Sequence, residues 1–323
     1  MRNCSVKQSR RNRRKRNNNS ELIKILPLSG RIFTIESDGI IMNRKEIEIQ
    51  CPAKINLALD VLRRRADGYH EVCMIMQEIG LCDTLFLSLE GEKIVLTSDC
   101  LTLDLGKDNL IVRAAELFFQ AAGLLAGVKI HLKKRIPIGA GLAGGSTDAA
   151  GTLLGLNELY EGRFSLETLM ELGGRLGADV PFCLMKGCAL AEGIGTDLTS
   201  LPAPPPYILV LAKPPFSVST AAVYGGLRLN EYTKHPNIPK VVEGLQRGDW
   251  KMIFENAGNV LEEVTAELYP QIREYEEIML AEGAAYARMS GSGPSVFGIF
   301  FDRTQAERAA QRIKPNTREV FVL

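Results

Sequence analysis

Histidine is scarce: only His70, His131 and His235 occur among 323 residues, and their wide separation speaks against a histidine metal cluster or a histidine-dependent triad. The seven cysteines are odd in number and scattered, with no C-x-x-C pair, which suits a reducing compartment rather than a disulfide framework. No run of about eighteen apolar residues exists, so a membrane span is excluded. The apolar stretch Ile23–Ile35 is broken by Lys24, Gly30 and Arg31 and has no small-residue cleavage pattern after it, so it is not a secretory signal. Also missing are an internal repeat, a Gly-Lys-Ser/Thr sequence of the Walker type and an H-R-D segment of the protein-kinase type.

What remains is an ordinary globular composition, 46% apolar and 24% charged, with room for about two domains at roughly 150 residues each. The net charge of +1 conceals an uneven distribution. Residues 1–19 carry eight basic side chains and no acid, leaving 31 basic against 38 acidic residues in the remainder. A basic, Asn-rich extension over 1–41 is expected to be disordered and dispensable for catalysis. Met42 opens an ordinary chain, and an upstream start is favoured over a plastid transit segment. The body is acidic and shows no aromatic-basic platform, which argues against a nucleic-acid partner.

Alternating apolar and polar residues predict a strand over 46–64, and two more within 83–98 around the turn Glu90-Gly91-Glu92. Helices are expected over 108–125 with Asp108 as cap, over 146–160, and over 165–176 with Ser165 as cap. Four prolines in Leu201–Tyr207 disfavour helix and central strand, and the boundary between domains 42–200 and 201–323 is placed there. Beyond it, 207–213 and 295–301 read as strands, and 218–228, 250–265 and 270–282 as helices. Without regular βαβ alternation the class is α+β.

Three constellations carry chemistry. Residues 136–150, IPIGAGLAGGSTDAA, place backbone N–H groups without Cβ obstruction before a helical pattern, which suits a phosphate. The hydroxyls of Ser146 and Thr147 are within reach of a phosphate-bound Mg²⁺. The plain alternative is a glycine-rich turn capping a helix. The G-x-G-x-x-G match at Gly139, Gly141 and Gly144 is a weak dinucleotide signal, because the element that follows looks helical rather than like a parallel strand. Lys54 and Asn56 share one side of a strand, unless Lys54 simply reaches solvent at a strand end. Asp179 stands between a helix end and the apolar run PFCLM, where a turn or cap aspartate is the plain alternative.

PAKINL (52–57), ADGYH (66–70), the glycine loop, LGADVPF (176–182) and SGSGPSVF (290–297), in this order, resemble the GHMP kinase superfamily over about residues 44–323. ADGYH marks the branch whose acceptor is 4-diphosphocytidyl-2-C-methyl-D-erythritol, as distinct from homoserine, mevalonate or galactose. The resemblance implies a two-domain fold, the first domain like the second domain of ribosomal protein S5 and the second ferredoxin-like. It implies ATP, with Mg²⁺, bound by Pro137, Ile138, Gly139, Ala140, Gly141, Leu142, Ala143, Gly144, Gly145, Ser146 and Thr147, Ser146 also serving the metal. It implies Lys54 and Asp179 as catalytic residues, Asp179 accepting the proton of the 2-hydroxyl. His70, Tyr69, Thr220 and Tyr224 match the cytidine pocket, and Asn56 the erythritol end. Ala140 and Ala143 stand where some members have glycine. A small-molecule kinase of the non-mevalonate isoprenoid route, monomeric or homodimeric and in the bacterial cytoplasm, is the resulting expectation. The alternatives are a plastid stromal location, another GHMP kinase, or a nucleic-acid-binding protein with an S5-like domain.

Overall fold

A computed structural model describes residues 34–36, 39–41, 46–317 and 319–323, which fall into two units, 1–45 and 46–323. In the first, Thr34–Glu36 (β1) and Gly39–Ile41 (β2) pair antiparallel, and the rest of the expected extension lies outside the described residues.

The second unit is built on two long strands, Glu46–Arg64 (β3) and Tyr69's neighbour His70 through Ser88 (β4), paired antiparallel along their length. Up to Cys51 every second residue of β3 is shielded, as in a sheet with one wet face. From Ala53 to Val61 every residue is buried, so both faces are covered there. Strand β4 extends further than the segment predicted from Asp83 onward. Its other edge is shared by Val128–Lys133 (β6) along one half and Cys188–Glu192 (β7) along the other. Ile94–Ser98 (β5) pairs parallel with β6, and Asp197–Leu201 (β8) pairs with β7, completing six strands.

On one face of this sheet lie Leu110–Ala122 (α1), Gly144–Leu159 (α2), Leu166–Gly174 (α3) and Val180–Met185 (α4). The cap of α1 is Asn109, whose Oδ1 accepts from Ile111 N at 2.9 Å, and not the expected Asp108. Ser165 caps α3 as predicted. Helix α2 runs close against β3: a Cβ on Gly151 would stand 2.3 Å from Cys51 Sγ, so even a methyl group at this helix position would displace the cysteine. Helix α4 arises from the run PFCLM, with Pro181 in its first turn, where proline needs no N–H partner.

The prolines of 202–206 lead from β8 into Ile208–Lys213 (β9), the centre of a second, antiparallel sheet. Its order is β10 (Tyr286–Met289), β11 (Val296–Phe300), β9 and β12 (Glu319–Val322). Its helices are Thr220–Gly226 (α5), Ile238–Arg247 (α6), Trp250–Asn256 (α7), Glu262–Leu268 (α8), Gln271–Ala281 (α9) and Arg303–Ile313 (α10). The single helix expected over 250–265 is therefore two, broken at 257–261. Asn259 carries the break: its Nδ2 donates to Met289 O and Gly291 O, and its Oδ1 accepts from Leu261 N. Ala53, Ile55 and Leu57 of β3 share a core with Val241 and Leu245 of α6 and Leu209 and Leu211 of β9, which is why β3 is dry on both sides. Among the described residues no helix is long and apolar enough to cross a membrane.

A buried charge cluster fixes the entry to the glycine loop. Lys134 Nζ pairs with Asp83 and lies 3.1 Å from Asp148 Oδ2, while Asp83 Oδ1 accepts from Ile136 N at 2.8 Å. Burial pushes the Asp148 carboxyl up to about 8 against the opposing pull of Lys134. Removing one partner of a buried pair costs about 3–5 kcal/mol, so Lys134→Met is expected to lose that much in chemical denaturation. Between the ordinary aspartate range and about 8 the folded chain keeps a proton that the unfolded chain has released, so this group's contribution falls as pH rises. Wild type should lose stability relative to Asp148→Asn across that window, and parallel pH profiles would refute the assignment.

Candidate active site

Lys54 does not reach solvent. It is 5% exposed and sits mid-strand between two β-bulges, at Pro52/Lys54 and Asn56/Ala58, which re-aim the side chains between them. Its Nζ donates to Asn56 Oδ1 at 2.7 Å and lies 3.8 Å from Asp179 Oδ2. Asn56 is held in turn: its Nδ2 donates to Met74 Sδ at 3.1 Å and its N–H to Ser290 Oγ at 3.1 Å. Asp179 occupies the N-cap position of α4, yet its side chain makes no capping bond. The carboxylate, 34% exposed, is left to face Lys54 and the open cavity.

The glycine loop turns by left-handed residues at Gly139 (φ 65°), Gly141 (φ 73°) and Ala143 (φ 58°). Ala143 precedes α2 and has no side chain able to cap it, so the first turn of this sixteen-residue helix keeps amide groups available for an anion. The loop separates two hollows. A smaller one of about 300 Å³ is bounded by Leu103, Asn109, Leu110, Lys134, Asp148 and residues 137–145. A larger one of about 990 Å³ holds Lys54, Asn56, Ser146 and Asp179, and the two share Gly141 and Ala143. Pro137 through Gly145 thus line the smaller hollow and Ser146 the larger, whereas Thr147 is 1% exposed and lines neither.

The larger cavity is also lined by Tyr69, His70, Thr220 and Tyr224. Tyr69 follows a tight turn in which its N–H donates to Asp67 Oδ1 at 3.1 Å, and its ring is 64% exposed. The rings of His70 and Tyr224 lie 5.0 Å apart, tilted by 38°. Burial, with Arg64 adding to it, holds His70 below the ordinary histidine range, so the ring is neutral at pH 7. Burial, aided by Asp179, pushes the Tyr224 phenol up to about 12. Thr220 Oγ1 is 2.8 Å from Ser292 Oγ. The segment 290–293 packs against Asn56 and Lys54: a Cβ on Gly291 would lie 3.2 Å from Asn56 Oδ1 and 3.8 Å from Lys54 Nζ. Sequence reasoning did not single out Asn259, which braces this segment, because a lone asparagine inside an expected helix gives no signal.

The GHMP kinases N terminal domain matches residues 109–187 and the GHMP kinases C terminal domain matches residues 241–317. A relative from Lachnoclostridium phytofermentans, named 4-diphosphocytidyl-2-C-methyl-D-erythritol kinase, is 46% identical over 85% of this chain and 96% of its own length. One of the same name from Caldicellulosiruptor bescii is 44% identical over 85% of this chain and 97% of its own. The chain belongs to this kinase family. A crystal structure of 4-(cytidine 5'-diphospho)-2C-methyl-D-erythritol kinase aligns with a TM-score of 0.74 at 36% identity, covering 85% of this chain and 98% of that one. Homoserine kinase from Cytophaga hutchinsonii, at 20% identity and a TM-score of 0.70, shows the shared fold. The expected α+β GHMP fold therefore holds, and the chain is an ATP-dependent small-molecule kinase.

The glycine loop depends on close backbone contact. A Cβ on Gly141 would stand 2.7 Å from Gly293 O and 3.1 Å from Ser290 O, in a left-handed conformation that alanine resists. Gly141→Ala is expected to lose about 1–3 kcal/mol of stability and to lower kcat/KM for ATP by at least about tenfold. Thermal melts and steady-state kinetics check both; an unchanged variant would mean that the two loops are not in contact.

Proposed function

We propose that this chain transfers the γ-phosphoryl group of ATP to the 2-hydroxyl of 4-diphosphocytidyl-2-C-methyl-D-erythritol, in the non-mevalonate route to isoprenoid precursors. The observation that carries the reading is the placement of Lys54 and Asp179, 3.8 Å apart, in the larger cavity that meets the glycine-loop hollow at Gly141 and Ala143. A nucleotide in the smaller hollow extends its phosphates over those two residues and the start of α2. An acceptor in the larger cavity meets them from the other side.

The hydroxyl oxygen forms a bond to the γ-phosphorus as the bond to the β-phosphate oxygen breaks, and ADP leaves. Asp179 takes the hydroxyl proton. Lys54, oriented by Asn56, offsets negative charge on the transferring group without having to reorganise. His70, neutral, has one donor and one acceptor nitrogen for the cytosine edge, and Tyr69 and Tyr224 offer flat faces to it. Thr220 borders this pocket, and Asn56 faces the erythritol end. Among the described residues no cluster of three potential metal-ligating side chains occurs. The donors present fit a Mg²⁺ held mainly by phosphate oxygens, with the Ser146 hydroxyl and the Asp179 carboxylate at hand. Such an ion would supply neutralisation of the phosphate charge. Cysteines that are all free among the described residues suit the bacterial cytoplasm.

General base and electrostatic contributions of this kind are worth about 10²–10⁴ in rate. Asp179→Asn and Lys54→Ala are each expected to lower kcat by at least about 10²-fold, with ATP affinity changed far less. Purified protein assayed with ATP, Mg²⁺ and a panel of acceptors checks this, and near-wild-type turnover in either variant would sink the assignment.

A stacked base contributes about 1–3 kcal/mol, so Tyr69→Ala should raise the acceptor KM by about tenfold or more and relax the preference for cytidine. Acidification protonates His70 and removes its acceptor nitrogen, so the acceptor KM should climb at low pH while the kcat profile moves less. An acid limb persisting unchanged in His70→Asn would assign it to another group.

A further inference from the structure

Three consecutive arginines, Arg63 to Arg65, straddle the end of β3, and two are accounted for. Arg63 Nε pairs with Glu71, and Arg65 Nε lies 3.0 Å from Asp67 Oδ2. Arg64 is opposite His70 in the β3–β4 register, which puts both side chains on the same face of the ladder, and both line the larger cavity. Arg228 lies two residues past the end of α5 and four past Tyr224, and it lines the same cavity. Among the described residues neither Arg64 nor Arg228 has a carboxylate within ion-pair distance. Arg64 thus stands beside His70, and Arg228 follows Tyr224 closely in sequence, both in the wall of the cavity that holds the ring pair.

The charge of the cavity makes this placement specific. Its ionised lining consists of Lys54, Arg64 and Arg228 against the single carboxylate of Asp179. Lys54 and Asp179 face each other, so the excess of two positive charges belongs to the arginines. That excess stands on a body which, outside residues 1–19, carries seven more acids than bases. A diphosphate esterified at both ends bears two negative charges, and guanidinium is the side chain whose planar fork matches phosphate oxygens bidentately.

We infer that Arg64 and Arg228 are the clamp for the diphosphate bridge of the acceptor, setting its register between the nucleobase rings and the Lys54–Asp179 pair. The inference rests on the acceptor proposed above. Neither arginine touches the reacting atoms; they act on binding and positioning. Both are exposed, so replacing them leaves the core intact.

The probes are cytidine, cytidine monophosphate and cytidine diphosphate, titrated calorimetrically into the full chain as wild type, R64Q, R228Q and the double variant. Each single change is expected to weaken cytidine diphosphate by about tenfold and the pair by about a hundredfold, as charge-assisted bonds to phosphate do, with cytidine affected less than twofold. The salt dependence of cytidine diphosphate binding should flatten in the double variant. With the complete acceptor, KM should rise in parallel while kcat changes much less, and R64K and R228K should recover part of the loss. Equal losses for cytidine and cytidine diphosphate, or no loss for either, would overturn the inference. Should the wild type leave the complete acceptor unphosphorylated, the proposed function falls, while the diphosphate-against-cytidine comparison still decides the role of the two arginines.

Discussion

A lysine ammonium at 5% exposure is costly unless its partners are in place, and Lys54 dictates much of what surrounds it. Its short bond to Asn56 needs both residues on one side of β3, which the bulges on either side of them supply. Its approach to Asp179 needs the N-terminus of α4 at the edge of the cavity, with the carboxylate released from capping. Its backbone N–H donates to Leu142 O at 3.2 Å, which ties the same residue to the glycine loop. One residue thus brings the central strand, the glycine loop ahead of α2 and the short helix α4 to a common point.

The second constraint is the contact between two glycine-bearing loops. Gly141 packs against the backbone of Ser290 and Gly293, and that segment is anchored from behind by Asn259 and by Thr265, whose Oγ1 donates to Ser292 O at 3.3 Å. Ser290 also receives the N–H of Asn56. The break between α7 and α8 thereby acquires a purpose, since a continuous helix over 250–265 would not place the Asn259 amide against Met289 and Gly291. Strand β3 serves both sheets, its outer half packing on α2 and its dry inner half on α6 and β9, so the cavity forms where the two layers meet.

Much of this was legible before any coordinates. The alternation in EIEIQCPAKINLALDVLRR matches β3 end to end, and Ser165 caps the helix that it announces. Ordered motifs, which survive in one dimension, pointed to the glycine loop, Lys54, Asp179, Tyr69, His70 and Tyr224, and these residues line the two hollows. The losses have physical causes. Met74–Gln77 lacks alternation because β4 is paired on both edges and buried on both faces there. A six-residue helix such as α4 is too short for a period to emerge from PFCLM. Asp108 is read from the sequence as the cap while Asn109 fills that position; both types are good caps, and only the geometry of the turn selects between neighbours. Arg64 was hidden in a run of three similar residues, and separating them requires knowing which acid each one meets.

The distances around Lys54 also bear on why the pair is arranged as it is. A carboxylate gripped by a short bidentate ion pair has its lone pairs committed and is a poor acceptor for a substrate proton. Here the 2.7 Å bond of Lys54 goes to the neutral amide oxygen of Asn56, and Asp179 stands off at 3.8 Å with a third of its side chain open to the cavity. The lysine is satisfied by a group that has no role as a base, so its charge remains directed at the cavity and the carboxylate keeps room for a hydroxyl. Replacing Asn56 by an acid would satisfy the ammonium more fully and remove both advantages, since the positive field would be cancelled at its source. In the proposed reaction a neutral partner for the lysine, more than the lysine–aspartate contact itself, is what would let one buried cation and one nearby carboxylate work on the same phosphoryl transfer.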